Sequence, residues 1–219
     1  MNMRIGILGS GLMGGKLGTI FARAGHDVVF SYARSRDKLE RLAQDAGNRA
    51  RAGTPAEAVA TADAVLLAVH WSRVDDVLKQ AGSLSGKTLL TCSLPMSEDD
   101  SHLVLGLTTS GAEELAHKVP RAHVVSAFST VPSEVLFPVF EARRKKKRPD
   151  LVYCGDHDGA KQTAASLIDA AGFNPVEVGA LSVARFIEPF VMLVAELAYN
   201  REGGPELAYR FERLGKQVA

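Results

Sequence analysis

Apolar residues along this chain fall in short runs separated by stretches of helical spacing, and the alternation is regular enough to predict elements in order. The first run, Ile5-Gly6-Ile7-Leu8, leads into a helical pattern that ends near Ala24, with Gly25 in the left-handed cap position. Val28-Val29-Phe30 reads as a second strand, and a helical pattern over 37–46 stops at Gly47. Thr54-Pro55-Ala56-Glu57 is a helix start, with a threonine cap, proline at the first helical position and glutamate completing a capping box. Ala64-Val65-Leu66-Leu67-Ala68-Val69 is continuous, as in a strand buried on both faces. A helix over 73–80 and a strand at Thr88-Leu89-Leu90-Thr91-Cys92 follow. Residues 97–109 fit neither period and read as a mobile loop. After a helix over 111–118, His123-Val124-Val125-Ser126-Ala127 reads as a sixth strand. Strands alternating with helices predict an α/β fold, a doubly wound and mostly parallel sheet, whose first domain spans 1–130.

The second half continues the alternation on a smaller scale. Leu151-Val152-Tyr153-Cys154-Gly155 is a strand, 158–171 a helix ending at Gly172, and Pro175-Val176-Glu177-Val178 a last strand. Ser182 is read as the cap of a long helix over 183–200, where Pro189 requires a kink or an early start. Residues 205–215 are read as a shorter helix. Residues 131–219 therefore form a C-terminal α/β extension, assigned to substrate binding and dimerisation. The long helix is apolar through Phe186, Ile187, Phe190 and Val191, which suits a cover for the cleft or a homodimer seam; a homodimer is expected.

Chemistry enters at the first turn. Gly9-Ser10-Gly11-Leu12-Met13-Gly14 lies between a strand and a helix, the context that makes Gly-x-Gly-x-x-Gly a dinucleotide-binding motif of the Rossmann type. Gly9 makes the tight turn, Gly11 lets a pyrophosphate approach the backbone, and Gly14 lets the helix pack closely. The helix N-terminus then faces the phosphates.

The end of the second strand chooses between cofactors. A carboxylate there would hold the ribose 2′-hydroxyl of NAD. Here the residues are Ser31-Tyr32-Ala33-Arg34-Ser35-Arg36, with no acid before Asp37. Arg34 and Arg36 suit a 2′-phosphate, so the loop is read as selecting NADP(H). Ala68, Val69, His70 and Trp71 stand at the carboxyl end of the third apolar run, where such sheets place their ligands. His70 is a candidate acid–base group or a residue that only packs on or bonds to the ribose; Trp71 is an aromatic wall or a core anchor. Ser93 and Leu94 sit at the next carboxyl end, near a nicotinamide. Ala127 and Phe128, then Ser129, Thr130 and Pro132, follow the sixth strand.

Composition adds exclusions. Formal net charge is +1, with 46% hydrophobic and 23% charged residues, which gives no reason to expect nucleic acid or a membrane as partner. The basic run Arg143-Arg144-Lys145-Lys146-Lys147-Arg148 is a solvated loop or a handle for a polyanion. No stretch resembles a signal peptide, and Cys92 and Cys154 read as packed, reduced thiols, so a cytoplasmic protein is expected. No metal-ligand spacing or nucleophile motif is present. Hydride transfer needs neither, because the cofactor carries the reactive group.

Several of these pieces, together with Ala24-Gly25-His26-Asp27-Val28-Val29, Val124-Val125-Ser126-Ala127-Phe128-Ser129-Thr130-Val131-Pro132 and Val178-Gly179-Ala180-Leu181-Ser182-Val183-Ala184-Arg185-Phe186-Ile187-Glu188, resemble one family. It is the NADP oxidoreductase family that uses the 8-hydroxy-5-deazaflavin coenzyme (F-420). The cytoplasmic domain of the six-transmembrane metalloreductases is similar over the same blocks. The resemblance implies that Ser10, Leu12 and Met13 contact the pyrophosphate and that Ser31, Arg34 and Ser35 contact the 2′-phosphate. It also implies that Val69, His70, Ser93 and Ala127 line the ribose and nicotinamide side. Ser129, Thr130, Pro132 and Arg185 are the corresponding substrate-side candidates, with His70 and Ser129 the candidates for catalysis. The family carries Pro where His70 stands and His where Ser129 stands. The implied function is hydride transfer between NADP(H) and a deazaflavin or flavin-like acceptor. The alternatives are a flavin-mediated ferric or metal-chelate reductase and a non-catalytic NADP(H)-binding redox sensor.

Overall fold

A computed structural model describes residues 2–215. Eight strands form one sheet in the order β3-β2-β1-β4-β5-β6-β7-β8. They are β1 (Arg4–Leu8), β2 (Asp27–Ser31), β3 (Ala50–Ala52), β4 (Ala64–Leu67), β5 (Thr88–Thr91), β6 (His123–Ser126), β7 (Asp150–Gly155) and β8 (Asn174–Glu177). All neighbours are parallel except β6 and β7, which pair antiparallel over Val125↔Gly155 and Ser126↔Cys154. The doubly wound, mostly parallel sheet read from the sequence is therefore the fold, and it runs unbroken past residue 130. The sixth strand stands where it was counted because of β3. This three-residue edge strand, Ala-Arg-Ala, carries no apolar run to announce it.

Successive strand residues point to opposite faces, and each face has its own core. Ile5, Ile7, Val28, Phe30, Ala64, Leu66, Leu90 and Val125 pack with α1 (Leu12–Arg23), α2 (Arg36–Ala46), α6 (Leu136–Glu141) and α7 (Asp158–Ala170). Leu8, Val65, Leu67, Leu89 and Val124 pack with α3 (Pro55–Ala60), α4 (Val74–Ala81), α5 (Gly111–Lys118) and α8 (Ala184–Tyr199). The local signals behave as their chemistry requires. Thr54 accepts from Glu57 N–H while the Glu57 carboxylate reaches back to Thr54 N–H. Gly25 and Gly47 take φ of 102° and 97° at their helix ends.

Two expectations in the second half need correction. Ser182 does not cap α8; it lies in a short 3-10 turn, Leu181–Val183, and α8 starts without a side-chain cap. Residues 205–215 are not a helix but a non-helical strap. Tyr209 anchors it: its carbonyl accepts from Asp150 N–H at 2.9 Å, and its ring packs against both cores. Its hydroxyl accepts from Val152 N–H at 3.1 Å and bonds Thr130 Oγ1 at 2.7 Å. The strap thus fills the gap where β6 and β7 cease to pair. Within 97–109, the first part closes into a turn, with Met96 and Leu103 bridged and Ser97 N–H donating to the His102 carbonyl. Pro189 sits within α8.

Candidate functional site

A cleft of about 990 Å³ opens beyond the carboxyl ends of β1, β2 and β4. One wall is the glycine turn. Gly9 has φ of 107°, and a Cβ there would lie 2.4 Å from the Ala68 carbonyl, so only glycine fits. A Cβ on Gly14 would stand 1.9 Å from the Gly9 carbonyl, which makes Gly14 a close approach to the turn itself. Gly11 faces open space. It is also the N-cap of α1, which has neither a capping side chain nor an acid in its first turn. The first-turn N–H groups therefore lack partners within the helix and present the positive end of its dipole to the cleft.

Of the sequence-predicted residues, Gly9, Ser10, Gly11, Leu12, Tyr32, Ala33, Arg34, Ser35, Arg36, Ala68, Val69 and His70 all line this cleft. The cations Lys38 and Arg73 join them, and Asp76 is the one lining carboxylate. Four cations against one acid give the lining of the cleft an excess of positive charge. Arg36 is paired with Glu40 at 2.9 Å, whereas Arg34 is exposed and makes no ion pair among the described residues. Ser35 Oγ accepts from Lys38 N–H as the cap of α2, which leaves its hydroxyl proton free to donate.

Other predicted residues have structural occupations. Ser31 is fully buried and its hydroxyl donates to the Ile7 carbonyl at 2.7 Å, so it is not available to a phosphate. Ser10 lines the cleft with its backbone, since its own hydroxyl donates to the Ser31 carbonyl. Met13 packs against the core. Trp71 packs against the α3–α4–α5–α8 core and does not line the cleft, which makes it the anchor rather than the wall. Ser93 Oγ donates to the Val69 carbonyl at 2.7 Å and stitches the ends of β4 and β5 together; Leu94 packs beside it. Ala127 and Phe128 are core residues, with Phe128 held at φ of 67°. Thr130 is bound to Tyr209, Pro132 is buried, and Ser129 is half-buried outside the cleft lining. Arg185 forms a two-nitrogen ion pair with Glu113, at 2.9 Å from Nε and 2.6 Å from Nη2. This pair holds the Glu113 carboxyl below its usual range, and Arg185 is not a free substrate cation.

His70 has a determinate role. Its Nδ1 accepts from Ser72 N–H at 3.2 Å, so in the neutral ring the proton is on Nε2. Nε2 then donates toward the Ser97 carbonyl at 3.1 Å and lies 3.2 Å from Asp100. The imidazole ties the end of β4 to the 97–109 turn while its body lines the cleft. Burial pushes the Cys92 and Cys154 thiols up to about 12, which favours the thiol over the thiolate at neutral pH. Among the described residues, no cluster of three or more His, Cys, Asp or Glu is placed to hold a metal.

Sequence reasoning missed Arg73, Asp76, Gln80, Lys38 and the Gly53–Pro55 turn as lining residues. Thr54 and Pro55 announced a helix start, and nothing in that signal says what the start faces. Arg73, Asp76 and Gln80 sit one helical turn apart, the only sequence sign that they share a face.

Residues 4–95 match the model of the NADP oxidoreductase, coenzyme F420-dependent, family. The chain is 30% identical over 185 residues to Metalloreductase STEAP3 of Rattus norvegicus, covering 84% of this chain and 36% of that protein. It thus spans about a third of the length of that relative. Among solved structures, a protein of Arthrobacter sp. FB24 provisionally described as an F420-dependent NADP-reductase superposes with a TM-score of 0.84. Identity there is 21%, over 97% of this chain and all of the other. The hypothetical protein SMa0349 of Sinorhizobium meliloti reaches 0.72 at 26% identity over 97% of each chain. A reductive aminase of Aspergillus terreus, holding NADPH, reaches 0.65 at 18% identity, over 88% of this chain and 61% of its own. The matched family and the aminase are NADP-dependent oxidoreductases. No helix among the described residues is long and apolar enough to cross a membrane.

Proposed function

We propose that this chain is an NADP(H)-dependent oxidoreductase that exchanges hydride between the nicotinamide and a deazaflavin or flavin-like acceptor. The observation that carries the reading is the uncapped N-terminus of α1 sharing one cleft with Arg34, which makes no ion pair among the described residues. The first supports a pyrophosphate, the second a 2′-phosphate. Gly11, Leu12 and Met13 would hold the pyrophosphate through backbone N–H groups, and Arg34 and the Ser35 hydroxyl the 2′-phosphate. Val69 and His70 would continue the wall toward the nicotinamide. NADPH supplies the hydride when bound; the protein's part is to hold two rings face to face and keep water out. The residues beyond 130 supply the acceptor side in this reading. A second copy packs against the outer face of α8, where Phe186, Leu193 and Leu197 are exposed.

Anaerobic stopped-flow absorbance tests the acceptor. NADPH-loaded protein is mixed in turn with the oxidised deazaflavin, FMN, FAD and a ferric chelate. Fast NADPH oxidation with the deazaflavin is the expected result. Turnover only with a flavin, or only with the chelate as the metalloreductase relative's name would suggest, would overturn the deazaflavin assignment. Tight NADPH binding with no turnover by any of them would favour a redox sensor.

A further inference from the structure

Two walls of the cleft are joined by a direct side-chain bond. Tyr32 stands at the end of β2 and Asp76 on α4, and the Tyr32 hydroxyl donates to Asp76 Oδ2 at 2.5 Å. Gln80 Nε2 supports the same carboxylate oxygen at 3.1 Å. Tyr32, Asp76 and Gln80 all line the cleft, beside the loop that carries Arg34 and Ser35. The Tyr32 phenol and the Gln80 amide are the groups that hold the Asp76 carboxylate.

The backbone of Tyr32 is as constrained as its side chain. It takes φ of 57°, a left-handed conformation that costs a bulky non-glycine residue energy and persists only when the surroundings impose it. Two contacts impose it here. The Tyr32 carbonyl accepts from Ser10 N–H at 3.1 Å, which ties the residue to the glycine turn, and the phenol reaches Asp76. One strained residue thus connects the turn expected to carry the pyrophosphate with the opposite wall.

We propose that Tyr32 and Asp76 form a clasp across the adenosine end of the cleft, which opens for the dinucleotide to enter or leave and closes over it once bound. The inference rests on the NADP(H) reading of the same cleft. Asp76 is exposed, so water can replace the phenol when the clasp parts, and the bond is a barrier to passage rather than a permanent wall. Closing it holds the two walls at a fixed separation. The clasp therefore acts on the rates of entry and exit, whereas Arg34 acts on which dinucleotide is preferred.

The test is stopped-flow fluorescence of NADPH binding to the full chain, with Tyr32→Phe, Asp76→Ala and the double variant. Tyr32→Phe keeps the ring and removes only the bond. Each single variant is expected to speed both association and dissociation about tenfold, the size of one charge-assisted hydrogen bond. The ratio of the two rates should change far less, and the preference for NADPH over NADH should persist. The double variant should go no further than either single one, because one bond is lost in all three. Rates within twofold of the unmodified protein, or effects that add, would refute the clasp while leaving the cofactor reading intact. Failure of the unmodified protein to bind NADPH would refute the cofactor reading and the clasp with it.

Discussion

Replacing Glu188 with glutamine should remove a specific share of the protein's pH-dependent stability. Glu188 projects from α8, is 2% exposed, and accepts from the first two N–H groups of α5, Gly111 at 2.9 Å and Ala112 at 3.1 Å. Burial is the largest influence and pushes its carboxyl from 4.5 up to about 7; the two N–H groups oppose the shift and the nearby Glu113 adds to it. The folded pKa thus lies above the unfolded one, so the folded state holds the proton more tightly. Stability from this group is full below 4.5 and is lost as pH rises toward about 7. At 1.36 kcal/mol per pKa unit, the loss comes to roughly 3 kcal/mol. In a chain of this length that is roughly 6–12 °C in Tm.

Glu188→Gln is neutral at every pH and keeps one acceptor oxygen. Urea denaturation of both proteins at pH 5 and pH 8 isolates the effect, because groups common to both cancel in the difference. One such group is His26, whose pKa is lowered by burial and whose contribution runs the opposite way. The stability of the wild type relative to Glu188→Gln should fall by roughly 3 kcal/mol between the two pH values. An unchanged difference would show that Glu188 is as well solvated folded as unfolded, and would refute the reasoning.

Two further outcomes follow from the second half of the chain. Tyr209→Phe removes the hydroxyl shared by Val152 N–H and Thr130 Oγ1 and should cost about 1–3 kcal/mol by urea denaturation, since a buried donor is left unpaired. A cost near zero would mean that the strap does not hold the β6–β7 gap. Leu193→Asp, on the exposed apolar face of α8, should reduce the mass seen by light scattering from a dimer to a monomer with the fold intact; a monomeric wild type would refute the α8 seam.

Most of the framework was legible along the chain because it rests on local signals. The continuous run at Ala64 to Val69, the Thr54–Glu57 capping box and the glycines at helix ends each act within a few residues, and each forms the element expected of it. The same holds for the glycine turn, whose demand for a missing Cβ is visible in composition alone. β3 escaped notice because its pairing with β2, not its own pattern, makes it a strand.

Only the tertiary structure could decide what each polar side chain does with its hydrogen bonds. Ser31 and Ser35 look alike in the sequence, yet one turns into the sheet toward Ile7 and the other caps α2 at the cleft. Arg185 and Arg34 are both candidate anion ligands until Glu113, 72 residues away, neutralises the first. Tyr209 gave a helical tail no reason to unwind, but the unpaired N–H of Val152, across 57 residues, takes its hydroxyl. Local spacing encodes backbone conformation, which is set by neighbouring residues. The assignment of donors to acceptors, and with it the character of the site, is settled between residues that meet only after the chain has folded.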